Sequence, residues 1–265
     1  MKVGFVQMNI EKGKVDDNLM RAEALIKDVK ADLIVLPELF NTGYLFADRD
    51  EAMKYAGTAG EGETNEWVKS IAVKIGGFIV AGIIEKDEDK LYNSAFLIGP
   101  IGLLGHYRKA HLFRREKDIF TPGDLTIHPF NMGLAKVGMM ICFDWIFPEV
   151  ARFLAFKDAQ IIAHPSNLVL PFCQDAMITR SIENMVFTIT ANRIGSEKLG
   201  DIEMRFTGRS QVVSPKGEVL IRASEADEEV GIVEIDPDMA LDKHFTPEND
   251  IFKDRRTDLF PKVID

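Results

Sequence analysis

The sequence predicts a mixed α/β fold, and three observations carry that prediction. Apolar runs of roughly strand length recur along the chain. Stretches with apolar residues at helical spacing stand singly between them. Two pairs of runs are joined by polar turns, which puts antiparallel hairpins beside solitary strands.

Val3–Met8 is a short, nearly continuous apolar strand. Asp16 or Asp17 is placed to cap a helix whose apolar positions are Leu19, Ala22, Leu25, Ile26 and Val29. Leu33–Leu36 reads as a strand buried on both faces. Trp67, Ile71, Ala72 and Ile75 mark a second helix, ended by Gly76-Gly77. Phe78–Glu85 and Leu91–Ile98 flank the charged turn Asp87-Glu88-Asp89 as a hairpin, and Gly99-Pro100-Ile101-Gly102 turns the chain into Leu103–Tyr107. In the second half, Ala135–Ile141 is a strand and Pro148–Phe156 a helix opened by proline. Ile161–Ala163 is extended, Ala176–Asn184 helical and Phe187–Ala191 extended. Ser210–Val213 and Glu218–Ile221 pair across Ser214-Pro215-Lys216-Gly217, and Gly231–Ile235 is the last strand. No repeat, low-complexity stretch or long linker interrupts residues 1–265, which read as one domain. From Asp236 the chain turns polar, and residues 237–265 form a charged tail with aromatic anchors Phe245, Phe252 and Phe260.

Composition narrows the function. With Lys+Arg 32 against Asp+Glu 42, the net charge of −10 disfavours nucleic acid as a partner. The longest apolar run, Phe78–Ile84, is far short of the ~20 residues of a membrane span. Polar Gln7 and Asn9 break the N-terminal run, so no signal peptide is read there. Two cysteines, Cys142 and Cys173, make no disulfide framework and read as free thiols in a reducing, cytoplasmic setting. The five histidines show no His-Glu-x-x-His spacing, and neither a Walker loop nor a Gly-x-Gly-x-x-Gly turn occurs. No metal and no cofactor is expected.

Ligands of open α/β sheets gather beyond the carboxyl ends of strands. Leu33–Leu36 is followed there by Pro37-Glu38, Leu103–Tyr107 by Arg108-Lys109, and Val137–Ile141 by Cys142. Each alone has an ordinary explanation. A cysteine after an apolar strand is commonly a small buried hydrophobe, Glu38 a solvated strand end, and Arg108-Lys109 a wet surface. Together they fit one mechanism, because a thiol needs a base or a nearby cation to act as a nucleophile at neutral pH. No Gly-x-Ser-x-Gly elbow competes.

The stretches Leu36-Pro37-Glu38-Leu39-Phe40, Tyr107-Arg108-Lys109-Ala110-His111-Leu112-Phe113 and Gly138-Met139-Met140-Ile141-Cys142-Phe143-Asp144-Trp145-Ile146-Phe147-Pro148-Glu149 resemble the motifs of the nitrilase superfamily of carbon–nitrogen hydrolases. The resemblance runs over essentially the whole chain. The tail Asn249–Arg256 is similar to that of nitrilase-like proteins from hyperthermophilic archaea. The family fold implied is a four-layer α-β-β-α sandwich with mixed sheets. The implied assembly is a homodimer or higher even oligomer, with residues 237–265 packing on a partner subunit.

Carried over residue by residue, the resemblance implies Glu38 as general base, Lys109 as electrostatic stabiliser and Cys142 as nucleophile. Glu116 matches a second glutamate that many members carry, and the Phe143 N–H joins Lys109 at the oxyanion. Proximity to the motifs makes Tyr44, Phe113, Trp145, Ser166 and Asn167 candidates for the substrate pocket. Arg180 and Arg193 are possible anchors for a substrate carboxylate, with a surface or subunit-contact role the favoured reading. Cys142-Phe143-Asp144 looks more like the amidase and carbamoylase branches than the Cys-Trp-Glu pattern of nitrile-cleaving members. A small aliphatic amide is therefore the favoured substrate, with a nitrile or an N-carbamoyl compound as the alternative.

Overall fold

The computed structural model describes residues 1–124 and 126–259. Strand β1 (Lys2–Asn9) opens the chain. Its Val3 and Phe5 join a central core while Val6 and Met8 join an outer one, as period-two alternation requires. Helix α1 (Val15–Ile26) follows. Asp16 and Asp17, read from the sequence as its cap, lie instead in the first turn behind Lys14, which makes no side-chain cap bond. Their charge still favours the positive end of the helix dipole. Strand β2 (Leu33–Val35) is wholly buried. Helix α2 (Arg49–Met53), too short to show periodicity in sequence, starts where the Asp48 side chain accepts from the Glu51 N–H. Helix α3 (Glu63–Ile75) stops at Gly76, whose φ of +77° closes the helix in the left-handed conformation.

Strands β3 (Phe78–Asp87), β4 (Lys90–Gly99) and β5 (Gly102–Arg108) form an antiparallel meander. A single turn, α4 (Glu116–Ile119), leads to the short β6 (Phe130–Asn131) and to β7 (Lys136–Met139). A 3-10 turn spans Cys142–Ile146, and α5 (Pro148–Phe156) begins at Pro148. Next come β8 (Ile161–Pro165), α6 (Cys173–Asn184), β9 (Phe187–Ala191) and β10 (Arg193–Ile194). A small hairpin, β11 (Ser196–Leu199) with β12 (Ile202–Arg205), was not read from the sequence because its residues are mostly polar. The chain continues through β13 (Gln211–Val213), β14 (Val219–Arg222) and β15 (Glu229–Glu234).

In the first sheet β1, β2 and β3 run parallel, with β4 and β5 antiparallel beyond them and β15 antiparallel on the far side of β1. The second sheet repeats the plan. Its strands β7, β8 and β9 are parallel, flanked by β6 on one edge and the antiparallel β13 and β14 on the other. Val3, Phe5, Val35 and Leu97 of the first sheet share one core with Val137, Ile161 and Ile189 of the second, so the sheets pack face to face. Ala22, Ile26, Val68 and Ile75 cover the first sheet, while Ala151, Leu154 and Met177 cover the second. The result is the four-layer α-β-β-α sandwich. Each fully buried Leu, Ile or Val in these layers contributes roughly 1.5–3 kcal/mol.

No helix among the described residues is long and apolar enough to cross a membrane. In the tail, Phe252 packs on Phe156 of α5 with ring centroids 4.6 Å apart, whereas Phe245 is 66% exposed. Phe260 lies outside the described residues.

Candidate active site

The segments after β2, β5 and β7 converge, and each supplies one polar residue. After β2 the loop Leu36–Phe40 lies along β3. The Leu36 N–H donates to the Val80 carbonyl at 2.8 Å, and the Phe40 N–H donates to the Gly82 carbonyl at 3.1 Å. This approach requires glycine at 82, because a Cβ there would sit 2.5 Å from the Glu38 Cα. Leu39 takes a φ of +48°, and Asn167 Nδ2 donates to the Glu38 carbonyl at 2.9 Å. The Glu38 backbone is thus fixed from two sides.

Lys109 follows β5, its N–H donating to the Asn93 carbonyl at 2.8 Å. Its ammonium lies between two carboxylates, 2.7 Å from Glu38 Oε1 and 2.8 Å from Glu116 Oε1. Asn93 Nδ2 donates to the same two oxygens, at 2.6 Å and 3.0 Å. The Phe113 N–H donates to Glu116 Oε2 at 2.6 Å. Glu38 Oε2 is buried and has no partner among the described residues, so it is an acceptor held ready for a proton. All three charged side chains are buried. Burial pushes the Glu116 carboxyl up to about 7, with Lys109 opposing and Glu38 adding to the rise. Burial also works against the Lys109 ammonium, but Glu116 and Glu38 outweigh it and hold the lysine charged.

Cys142 begins the 3-10 turn after β7 with a φ of +42°, a left-handed conformation that costs a non-glycine residue about 1–3 kcal/mol. Asp144, fully buried, braces it. One carboxylate oxygen accepts from the Ile141 N–H at 2.9 Å and the Tyr107 hydroxyl at 2.8 Å; the other accepts from the His111 N–H at 3.0 Å and lies 2.8 Å from His111 Nδ1. The cysteine turn and the Tyr107–His111 segment that carries Lys109 are therefore tied through one side chain. On the other side, His164 Nε2 lies 2.9 Å from the Cys142 carbonyl and donates to it. Burial depresses His164 to about 4, so the ring is neutral. Burial first, and Glu38 second, push the Cys142 thiol up, with Lys109 and the Asn167 N–H acting the other way. These effects favour the thiol form of the sulfur, with the Glu38 carboxylate and the Lys109 ammonium in electrostatic reach.

A cavity of about 20 Å³ lies at Cys142, walled by Phe113, Phe143, Trp145, Asn167 and the Leu168–Leu170 segment. Tyr44 lines an adjoining void of about 20 Å³ together with Glu116. Ser166 lines neither; it is buried and its hydroxyl donates to the His164 carbonyl at 3.2 Å. Glu116 is buried and pairs with Lys109. The assignment of Arg193 to the surface or a subunit contact is corrected: it is fully buried. Its guanidinium pairs with Glu197 and lies 4.1 Å from the Phe206 ring centre, and the Glu197 carboxylate also accepts the N–H groups of Tyr44 and Leu45. Arg180 donates to the Trp145 carbonyl at 3.2 Å. Sequence reasoning gave no role to Asn93, Asp144 or His164. A polar Asn93 in the largely apolar β4 was one available signal.

Comparison with known proteins identifies the family and the fold. The family described as "Carbon-nitrogen hydrolase" matches residues 2–243. A protein of Pyrococcus abyssi (strain GE5 / Orsay) named "Nitrilase" is 51% identical over 263 residues, covering 98% of this chain and 99% of that one. The 2-oxoglutaramate amidase of Bacillus subtilis (strain 168) is 32% identical, covering 97% and 98%. The crystal structure of a carbon–nitrogen hydrolase from Helicobacter pylori G27 superposes with a TM-score of 0.87 at 27% identity, covering 99% of this chain and 98% of that one. The chain belongs to the carbon–nitrogen hydrolases of the nitrilase superfamily.

Proposed function

We propose that this protein hydrolyses a small aliphatic amide to a carboxylic acid and ammonia through a thioester on Cys142. The observation that carries the reading is the buried Lys109 ammonium bridging Glu38 and Glu116 next to a cysteine that lines a cavity. So costly an arrangement of buried charges supports chemistry better than it supports stability.

In the first step Glu38 Oε2 takes the thiol proton as the sulfur attacks the carbonyl carbon. Negative charge grows on the substrate oxygen, where the Lys109 ammonium meets it with the Phe143 N–H. That N–H lies in the first turn of a 3-10 helix, where the backbone donors have no intrahelical acceptor. The protonated Glu38 gives its proton to the departing nitrogen, the carbon–nitrogen bond breaks and ammonia leaves. Water, deprotonated by the same carboxylate, attacks the thioester; collapse releases the acid and returns the proton to the sulfur. Glu116 holds the Lys109 ammonium in place throughout.

The smallness of the cavity and the Cys142-Phe143-Asp144 sequence favour a short-chain amide. The name of the 51%-identical relative favours a second reading, a nitrile passing through a thioimidate on the same sulfur. An ammonia-release screen over small amides, N-carbamoyl compounds and nitriles separates them. Release from an amide that disappears in Cys142→Ala supports the first reading, and release from nitriles alone supports the second. No release from any of these compounds refutes both. We also infer that residues 1–265 act as one hydrolase unit in the cytoplasm, in a homodimer whose partner covers the exposed Phe245. A monomeric mass by light scattering refutes that assembly.

A further inference from the structure

The two small voids at the site share a wall. The one at Cys142 and the one at Glu116 are each about 20 Å³, and Phe113 lines both. A void of this size holds on the order of one water-sized group. Beyond Phe113 on the Glu116 side the lining is mixed: Phe46, Ile119, Phe120 and Met204 are apolar, while Arg114, Arg115 and Glu116 supply charge.

Phe113 is held in this position. Its ring meets the Phe143 ring at a centroid distance of 4.9 Å and an angle of 51°, on the side of the Cys142 void. The Arg114 guanidinium, which lines the other void, lies 5.2 Å from its centroid. The Phe113 N–H is tied to Glu116 Oε2 at 2.6 Å. Arg114 follows at a φ of +47°, turning the chain sharply into α4. The half-buried ring thus has a neighbour toward each void, and its backbone is fixed on both sides.

We propose that Phe113 is the partition that sets the length of the acyl chain. With the ring in place, an acyl group bonded to Cys142 has room for one or two carbons. Without it, the Cys142 void opens into the void bordered by Ile119, Phe120 and Met204, and a longer chain fits. The substrate class that follows is the primary amide of a short, unbranched acid. This specificity assignment rests on the amide-hydrolase reading above, but its test does not depend on turnover alone.

The test compares wild type, Phe113→Ala and Phe113→Leu in two measurements. The first is kcat/KM for acetamide, propionamide, butanamide and hexanamide. The second is the rate at which 2-iodoacetamide and 2-iodohexanamide alkylate Cys142, assigned by peptide mass because Cys173 is fully buried. Wild type should favour the shortest member in both. The long-to-short ratio should rise at least ~10-fold in Phe113→Ala, since one methylene in an apolar pocket commonly changes kcat/KM by that factor. It should rise less in Phe113→Leu, which also serves if the alanine variant does not fold. Unchanged ratios in both measurements for a folded variant overturn the partition. If wild type releases no ammonia from any amide, the functional reading fails, and the alkylation ratio alone decides whether Phe113 divides the cleft.

Discussion

Methionine in place of Lys109 removes the charge while keeping most of the side-chain volume, so its effects isolate the ammonium. In the wild type that ammonium stands 2.7 Å from Glu38 and 2.8 Å from Glu116, with no exposed surface on the Lys109 or Glu38 side chain. Its loss leaves two buried carboxylates with only Asn93 between them. Breaking a buried ion pair on one side costs about 3–5 kcal/mol, unless the remaining carboxyls take up protons. They do so in part, because Glu116 is already pushed up to about 7 with the lysine present. The sign follows. A carboxyl whose folded pKa stands above its unfolded value is fully tolerated below the unfolded pKa and destabilises as pH rises. The stability deficit of Lys109→Met should therefore be largest near pH 8 and shrink toward pH 5. Under the proposed mechanism activity loses a donor to the oxyanion, worth about 10²–10³ in rate, and the Glu38 carboxylate loses the ammonium that positions it. Turnover should fall at least ~10³-fold at pH 7. Urea unfolding across pH 5–8 and steady-state ammonia release measure the two effects. Turnover within tenfold of wild type, or a deficit that grows toward acid pH, would refute this account of the charge cluster.

Asp144→Ala strands the buried Tyr107 hydroxyl and Ile141 N–H, at about 1–3 kcal/mol each, so urea denaturation should register a loss of roughly 2–6 kcal/mol. Because these bonds set the cysteine turn against the segment carrying Lys109, kcat should fall more than KM rises; a loss below about 1 kcal/mol contradicts the bracing role. His164 supplies a pH dependence. Burial holds it at about 4, below its unfolded value of about 6.5, so stability is fully present above pH 6.5. It is lost as pH falls toward 4, about 3 kcal/mol in total. Unfolding free energies over that range should be distinctly flatter in His164→Asn, and an identical slope would count against a neutral, buried imidazole.

Much of the layout is legible in the chain because the patterns concerned are local. Val3–Met8 and Leu33–Leu36 are apolar enough to be strands in any context, and Pro148 and Gly76 mark helix ends by their own backbone chemistry. Reading the residue after each strand picks out Glu38, Lys109 and Cys142, since a strand end delivers its next side chain to the sheet edge. What is not legible is set by partners distant in sequence. Arg193 reads as a surface residue until Glu197 and the Phe206 ring are folded against it. Asn93 lies in a largely apolar strand, and only folding brings it to Glu38, 55 residues away. Asp144 stands in plain view two residues after the cysteine, yet three of its four contacts reach back to Tyr107 and His111. Gly82 gives no sign that the Glu38 backbone presses on it. Helices α2 and α4 are shorter than the window in which helical periodicity can be seen.

The central claim is covalent chemistry at one sulfur, and intact-mass spectrometry of acid-quenched turnover mixtures addresses it directly. With a hydrolysed amide present, the wild-type chain should carry a mass increase equal to the acyl group, mapped by peptide to Cys142 and absent in Cys142→Ala together with all ammonia release. Ammonia production that persists in Cys142→Ala would contradict the account.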